Sequence, residues 1–369
     1  MANAYIYNAY LKKTLSEAAK HFGLSMGNFS KKYLLLCLVC FVRQADAQSL
    51  LKKIFTRASY DTGYVDSYYD DYMHLTLVSL KQTHQVTVAN TDKSLTYIYR
   101  PNSVFRFGMG VDYRFLSLEY SSQIDALNKS DLRKGFSELN SFRLGITGRR
   151  LLVNLLLQDI KGMYLENVAD FSASWSSLTD FYPRRKDMHS VAYVGSMYYF
   201  FNHSRYSTMA SLWQIDRQKK PAGSFLAGVT MSYHSLSGDT AVGPQATLAN
   251  DSSAIIKDKV YQYGLNVGYA YNLVLYKRFF FNAIMVPGVN IQLGEESYTN
   301  GKKENQKPST GLHGDFRFTA GYNGTRYYSG IMYTNNFLFS KIRSNVNIDF
   351  YHEYVRFFAG ARFNIRKRK

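Results

Sequence analysis

Between Tyr261 and Leu273 every second residue is apolar. Tyr261, Tyr263, Leu265, Val267, Tyr269, Tyr271 and Leu273 alternate with Gln262, Gly264, Asn266, Gly268, Ala270 and Asn272. That period puts the two sets on opposite faces of a strand, whereas a helix would group apolar residues three and four apart. The run is also long: strands of soluble proteins average about five or six residues, and a strand tilted across a bilayer needs about 9–11. The pattern recurs at Phe105–Tyr113, where Arg106, Gly108, Gly110 and Asp112 intervene, and again at Phe225–Tyr233 and Val355–Phe363. It predicts an all-β chain, an antiparallel transmembrane β-barrel.

Strand-like segments fall at about 104–114, 115–121, 140–148, 151–161, 189–201, 205–214, 223–235, 259–273, 278–293, 312–322, 326–335 and 353–365. Shorter candidates precede them at Met73–Lys81, Gln85–Ala89 and Leu95–Arg100. Bacterial single-chain barrels use even strand numbers, so twelve strands are expected, within a range of about 12–14. Tight connections at Gly148-Arg149-Arg150, Asn202-His203-Ser204 and Asn323-Gly324-Thr325 contrast with long polar ones at Ser237–Lys257, Glu295–Thr310 and Asn336–Asn347. The short–long alternation slips near 214–257, which leaves either a miscounted strand or a long connection on the short-turn side. The 32 Tyr and 25 Phe gather at strand ends, as in Tyr198-Tyr199-Phe200-Phe201 and Phe279-Phe280-Phe281, where interface girdles would lie.

The N-terminal region has a different grammar. Lys31-Lys32, the apolar run Tyr33–Val42 and the small residues of Ala45-Asp46-Ala47 describe a secretory signal peptide over residues 1–47, cut after Ala47. Residues 1–25 read as a mis-started extension or an extended n-region, since Met26 opens an n-region of its own. The two cysteines, Cys37 and Cys40, would leave with the peptide. An exported chain without cysteine fits a Gram-negative envelope, and hence the outer membrane, better than a disulfide scaffold. Residues 48–94 read as a periplasmic segment with short strands, and 95–369 as the barrel. Losing six basic and two acidic residues changes the net charge from +18 to +14. An exported chain rarely meets nucleic acid, so outer-membrane lipids are the expected partners of this charge. The barrel-assembly machinery is a further expected partner, and the sequence leaves the oligomeric state open.

The runs Leu95-Thr96-Tyr97-Ile98-Tyr99-Arg100-Pro101-Asn102 and Phe107-Gly108-Met109-Gly110-Val111-Asp112-Tyr113-Arg114-Phe115 resemble a family of Gram-negative envelope proteins, domain of unknown function 4421. Lys161-Gly162-Met163-Tyr164-Leu165-Glu166-Asn167, Tyr182-Pro183-Arg184-Arg185-Lys186-Asp187 and the stretch Gln214–Leu226 carry the same resemblance, as do Gly321-Tyr322-Asn323 and Tyr328-Ser329-Gly330. The resemblance covers nearly all of the mature chain. It implies an outer-membrane or envelope barrel and supplies no activity. One departure is the C-terminus, where Phe363 is followed by Asn364-Ile365-Arg366-Lys367-Arg368-Lys369 instead of ending the chain.

Chemistry is sparse. No metal-ligand spacing appears among the eight His, and no cofactor motif or nucleophile elbow is present. Asp66, Asp70 and Asp71 read as a solvated acidic segment rather than a Ca²⁺ loop. His189-Ser190, His203-Ser204 and His234-Ser235 place neighbouring side chains on opposite strand faces, so none forms a dyad alone. The chain therefore reads as a non-enzyme. A barrel enzyme acting on envelope lipids and a soluble periplasmic β-protein are the alternatives. The lumen-facing candidates are Arg106, Asp112, Arg114, Glu119, Arg143, Arg317, Arg356 and Arg362. They suit either a salt-bridge network that narrows the barrel or a narrow pore or binding passage for a small anionic solute. Val267→Arg, on the lipid face, is expected to be more damaging than Asn266→Arg on the inner face.

Overall fold

The alternating segments close on themselves in the computed structural model, which describes residues 59–68, 70–90, 95–102, 105–123, 131–242, 254–339 and 346–365. The signal peptide expected at 1–47 lies outside the described residues. The strands are β1 (Val65–Ser67), β2 (Tyr72–Asn90), β3 (Thr96–Arg100), β4 (Phe105–Tyr113), β5 (Leu116–Gln123), β6 (Glu138–Thr147), β7 (Leu151–Leu165) and β8 (Arg184–Phe200). After a short helix α1 (Thr208–Leu212) come β9 (Asp216–Gln218), β10 (Ala222–Ser237), β11 (Ile255–Leu275), β12 (Phe279–Tyr298), β13 (Lys303–Asn305), β14 (Ser309–Asn323), β15 (Tyr327–Phe339) and β16 (Val346–Asn364).

Twelve of these strands form the wall, in the order β2-β4-β5-β6-β7-β8-β10-β11-β12-β14-β15-β16, each antiparallel to its neighbours. β16 pairs with β2 along its whole length, from Asn364 opposite Tyr72 to Val346 opposite Asn90, and closes the cylinder. Closure leaves neither a first nor a last strand with an open edge. One end carries the tight turns at 114–115, 148–150, 276–278 and 324–326, and the other carries the longer connections. We call them the turn end and the loop end.

Twelve is the expected number, reached by a different set of segments. Residues 205–214 are not a strand but a turn followed by α1. Tyr206, Met209 and Trp213 recur at three and four, the helical spacing, and Ser207 caps the helix by accepting from the Ala210 backbone N–H at 3.1 Å. The candidates at Met73–Lys81 and Gln85–Ala89 are one strand, β2, so the wall begins at residue 72 instead of 95. The slip in the short–long alternation is thereby resolved: the 201–221 connection is long and lies at the turn end.

The wall narrows toward the loop end. β3 and β4 lie on the same edge of β2, with Tyr99 opposite Val86 and Phe105 opposite Lys81. Six steps on one chain thus match five on the other between these two pairings. β3 then pairs on its other edge with β7, through Tyr99–Leu165 and Arg100–Tyr164, past the ends of β5 and β6. Ten strands encircle the loop end where twelve encircle the turn end, and barrel diameter falls with strand number. Gly162, at φ +76°, sits where β7 and β8 change register. A Cβ there would lie 2.6 Å from the Phe136 carbonyl oxygen, which excludes any side chain.

The outer face of β11 carries Tyr261, Tyr263, Leu265, Val267, Tyr269 and Tyr271, all exposed, while Gln262, Asn266, Ala270 and Asn272 point inward and are buried. Around the turn end, exposed aromatics form a ring that includes Tyr113, Tyr199, Phe225, Tyr271, Phe279 and Tyr327. A second row crosses neighbouring strands, with Tyr233 lying 5.6 Å from Tyr193 and 5.0 Å from Tyr261 between ring centroids. Tyr261 and Tyr271 are ten residues apart, about 25 Å along the axis for a strand tilted by about 40°. Beyond Tyr261 the same outer parity turns charged, and Lys259 pairs with Glu295 at 2.6 Å.

Candidate functional site

The barrel interior is layered. At the turn end the 201–221 connection folds inward: Tyr206, Met209, Leu212, Trp213 and Ile215 are buried against wall residues such as Leu80, Tyr198, Leu226, Phe280 and Tyr328. β1 pairs with β9 in a two-stranded sheet beside this plug. Polar contacts fasten it to the wall. Arg149 lies 3.4 Å from Asp216 and its guanidinium covers the Tyr60 ring. Asp216 also accepts from the Ser207 hydroxyl at 2.7 Å, and Asn323 donates to the Asp216 carbonyl at 3.0 Å. Arg362 donates to the Gln214 and Asn323 oxygens, each at 2.5 Å, where Gln214 holds φ +55°.

Asp66 anchors the outer strand of this sheet through Arg217 and through Lys219 at 3.1 Å. Burial raises its pKa, and the two cations more than offset that, holding the carboxyl below its ordinary 3.8. A depressed carboxylate contributes stability above its unfolded pKa and loses it as pH falls through the folded value. The 59–68 segment is therefore expected to become protease-accessible only below about pH 4. Asp66→Asn should show that accessibility already at pH 7, and limited proteolysis across a pH series measures it. Asp70, of the same acidic segment, lies 3.8 Å from Arg114. Among the described residues no three His, Asp or Glu side chains come together as a metal site.

Above the plug lies a polar belt. Glu119 on β5 and Arg143 on β6 are register partners, 3.4 Å apart. Arg356 reaches Glu119 from β16, with Nε at 2.9 Å and Nη2 at 2.7 Å. Arg106 donates to Gln82, and Arg317 is bidentate on Asp315 at 2.8 and 2.6 Å. Asp112 is buried one row closer to the turn end. Glu119, Arg143 and Arg356 thus form one cluster, Arg317 joins a separate pair, and Arg362 serves the plug. Arg114 is the exception among the lumen candidates: it sits in the β4–β5 turn at φ +52°, with its side chain 40% exposed beside Asp70. The tight turn rotates its side chain out of the strand alternation.

Four histidines complete the belt. His313 is held by Asn266 at 2.7 Å and Asn290 at 3.2 Å. Its ring occupies space in front of Gly264 and Gly288, where a Cβ would approach Cε1 within 2.4 Å. His84 lies 3.2 Å from the Ser190 hydroxyl, His352 Nδ1 accepts from the Gln82 amide Nε2 at 3.2 Å, and His234 stacks on Phe350. The His189-Ser190 neighbours do point apart: His189 contacts Asp159 at 2.9 Å while Ser190 meets His84. The belt lines a cavity of about 120 Å³. A second apolar layer at the loop end, including Val86, Val88, Ile160, Met188, Leu236 and Val260, lies above it.

Sequence parity signals the inward Arg, Asp and Glu residues of long strands. It misses Gln82 and His84, because β2 reads as two short segments, and it misses Arg149 and Asp216, which lie outside the wall strands. The helical spacing at 206, 209 and 213 is the signal that locates the plug.

A family model described as "Domain of unknown function (DUF4421)" matches residues 59–363. No curated protein matches the sequence. Among solved structures, the toluene transporter TodX of P. putida matches at 8% identity and a TM-score of 0.26, covering 82% of this chain and 92% of that one. Ail, the attachment invasion locus protein of Yersinia pestis, matches at 9% identity and 0.22, covering 80% and 99%. OmpT, an outer membrane protein of Vibrio cholerae, matches at 11% and 0.23, covering 77% and 99%. Similarity at that level carries no argument about this chain.

Proposed function

The chain belongs to the DUF4421 family, and from that premise we propose that it is an integral outer-membrane β-barrel with a closed interior that binds a small solute. The observation that carries this reading is the outward apolar band of about 25 Å between aromatic rows, combined with a polar cavity between two apolar layers. A band of that height matches the lipid-facing surface of membrane barrels, and the short-turn end, which holds the chain's described termini, would face the periplasm. The layered interior favours a filled or gated barrel over an open pore. Heated and unheated samples should migrate differently on SDS gels. Identical migration together with release by carbonate washing removes the membrane reading.

In planar bilayers the wild type is expected to pass no steady current. Asp216→Asn, which weakens the Arg149 and Ser207 contacts that hold the plug, should give brief openings. A steady large conductance in the wild type would instead identify an open pore. A second reading rests on the 3.2 Å contact between Ser190 and His84 from different strands: a serine hydrolase acting on envelope lipids. No carboxylate contacts the other His84 ring nitrogen among the described residues, so the binding reading is favoured. Labelling of Ser190 by a serine-reactive fluorophosphonate, absent in His84→Ala, would reverse that preference.

A further inference from the structure

Several cavity-lining groups are almost fully buried and point polar atoms at no partner. Arg356 is 2% exposed, with Nη1 unpartnered although Nε and Nη2 bind Glu119. Gln158 is 2% exposed with Nε2 unpartnered, and His84 is 2% exposed with Nδ1 unpartnered. Asn154 and the Nδ1 of His234 add further unpartnered atoms on the same cavity wall. Buried donors without acceptors cost free energy unless something in the cavity accepts from them.

The charges point the same way. Arg106, Arg143 and Arg356 surround Glu119, and counting Asp112 as ionised still leaves one positive charge in excess. Arg317 is neutralised locally by Asp315. Among side chains as buried as Arg106, Glu119 and Arg356 such an excess is strongly felt. A guanidinium nitrogen from β16 and an amide nitrogen from β7, both in the lining of one cavity, are the kinds of donor with which proteins hold oxyanions.

Resting on the closed-barrel reading, we propose that the chamber is a binding site for a small oxyanion, a carboxylate or phosphate group, held by Arg356 and Gln158 with His84 and His234 beside it. The cavity of about 120 Å³ limits the occupant to a small solute or to the anionic head of a larger one.

The test refolds the full chain into detergent in acetate, inorganic phosphate or chloride at matched ionic strength. Refolding in the presence of the anion removes the problem of entry. The thermal midpoint of the compact, heat-modifiable band is then measured. Acetate or phosphate should raise the midpoint saturably, chloride should not, and the two oxyanions separate carboxylate from phosphate recognition. Arg356→Gln and Gln158→Leu should each raise the half-saturating concentration about tenfold, the effect of one lost charge-assisted or buried hydrogen bond. Gln158→Leu leaves the Glu119 cluster whole, so it decides the matter if Arg356→Gln fails to fold. No saturable shift in the wild type, or equal shifts in wild type and variants, overturns the site. Loss of heat-modifiability in the wild type would instead overturn the membrane barrel.

Discussion

Val267→Arg is expected to destabilise the barrel by about 2–4 kcal/mol, the cost of an arginine near the middle of a lipid-facing band. Val267 is 68% exposed on β11, so no packing is lost with its side chain, and a soluble protein would tolerate the change within about 0.5 kcal/mol. The expected cost arises from the solvent, because hydrocarbon cannot hydrate a guanidinium. It should therefore depend on depth. Leu275→Arg, at the turn-end limit of the same strand and on the same outward parity, should cost under about 1 kcal/mol, since the side chain reaches the interface. Val267→Leu should be neutral. Urea unfolding midpoints of the refolded protein in lipid vesicles measure all three. Equal costs for Val267→Arg and Leu275→Arg would show that the band is not set in a bilayer.

The partner substitution shows where sequence reasoning stops. Parity alone puts Asn266 inside, and an inward arginine beside other inward arginines reads as tolerable. Asn266 is 3% exposed, accepts from the Thr230 hydroxyl at 3.0 Å and holds His313 at 2.7 Å. Asn266→Arg would therefore overpack this contact, and it is expected to be harmful as well, for a different reason. Alternation is a local property of the chain, so facing and strand length were legible in Tyr261–Leu273 and Phe105–Tyr113. Whether the interior is open or filled depends on which strands meet, a non-local matter. The plug is the clearest case. Its helical spacing is visible at Tyr206, Met209 and Trp213, but nothing local says that the segment turns into the barrel instead of away from it. The narrowing at β3 was hidden for the same reason, because it depends on a pairing between Tyr99 and Leu165 across 66 residues of chain.

Glu119→Gln is expected to destabilise the barrel by about 3–5 kcal/mol, the cost of breaking a buried ion cluster from one side. Glu119 is 4% exposed and receives three guanidinium contacts, one from Arg143 and two from Arg356. The glutamine keeps the shape and can still accept hydrogen bonds, so the loss isolates the charge. It leaves Arg106, Arg143 and Arg356 together without their central anion. Removing a cation as well should restore part of the balance: Glu119→Gln with Arg356→Gln is expected to lose less than the two single losses combined, by about 1–3 kcal/mol. Because the cluster is enclosed, raising the salt from 0.1 to 1 M should rescue the single variant little, whereas solvated arginines along a passage would be screened over about 10 Å or less. Single losses below about 1 kcal/mol, additive and relieved by salt, would mean that water reaches these groups. The sequence favours a space-filling network slightly over an anion passage and excludes neither. The salt dependence separates them, since only an accessible lumen lets ions replace the missing carboxylate.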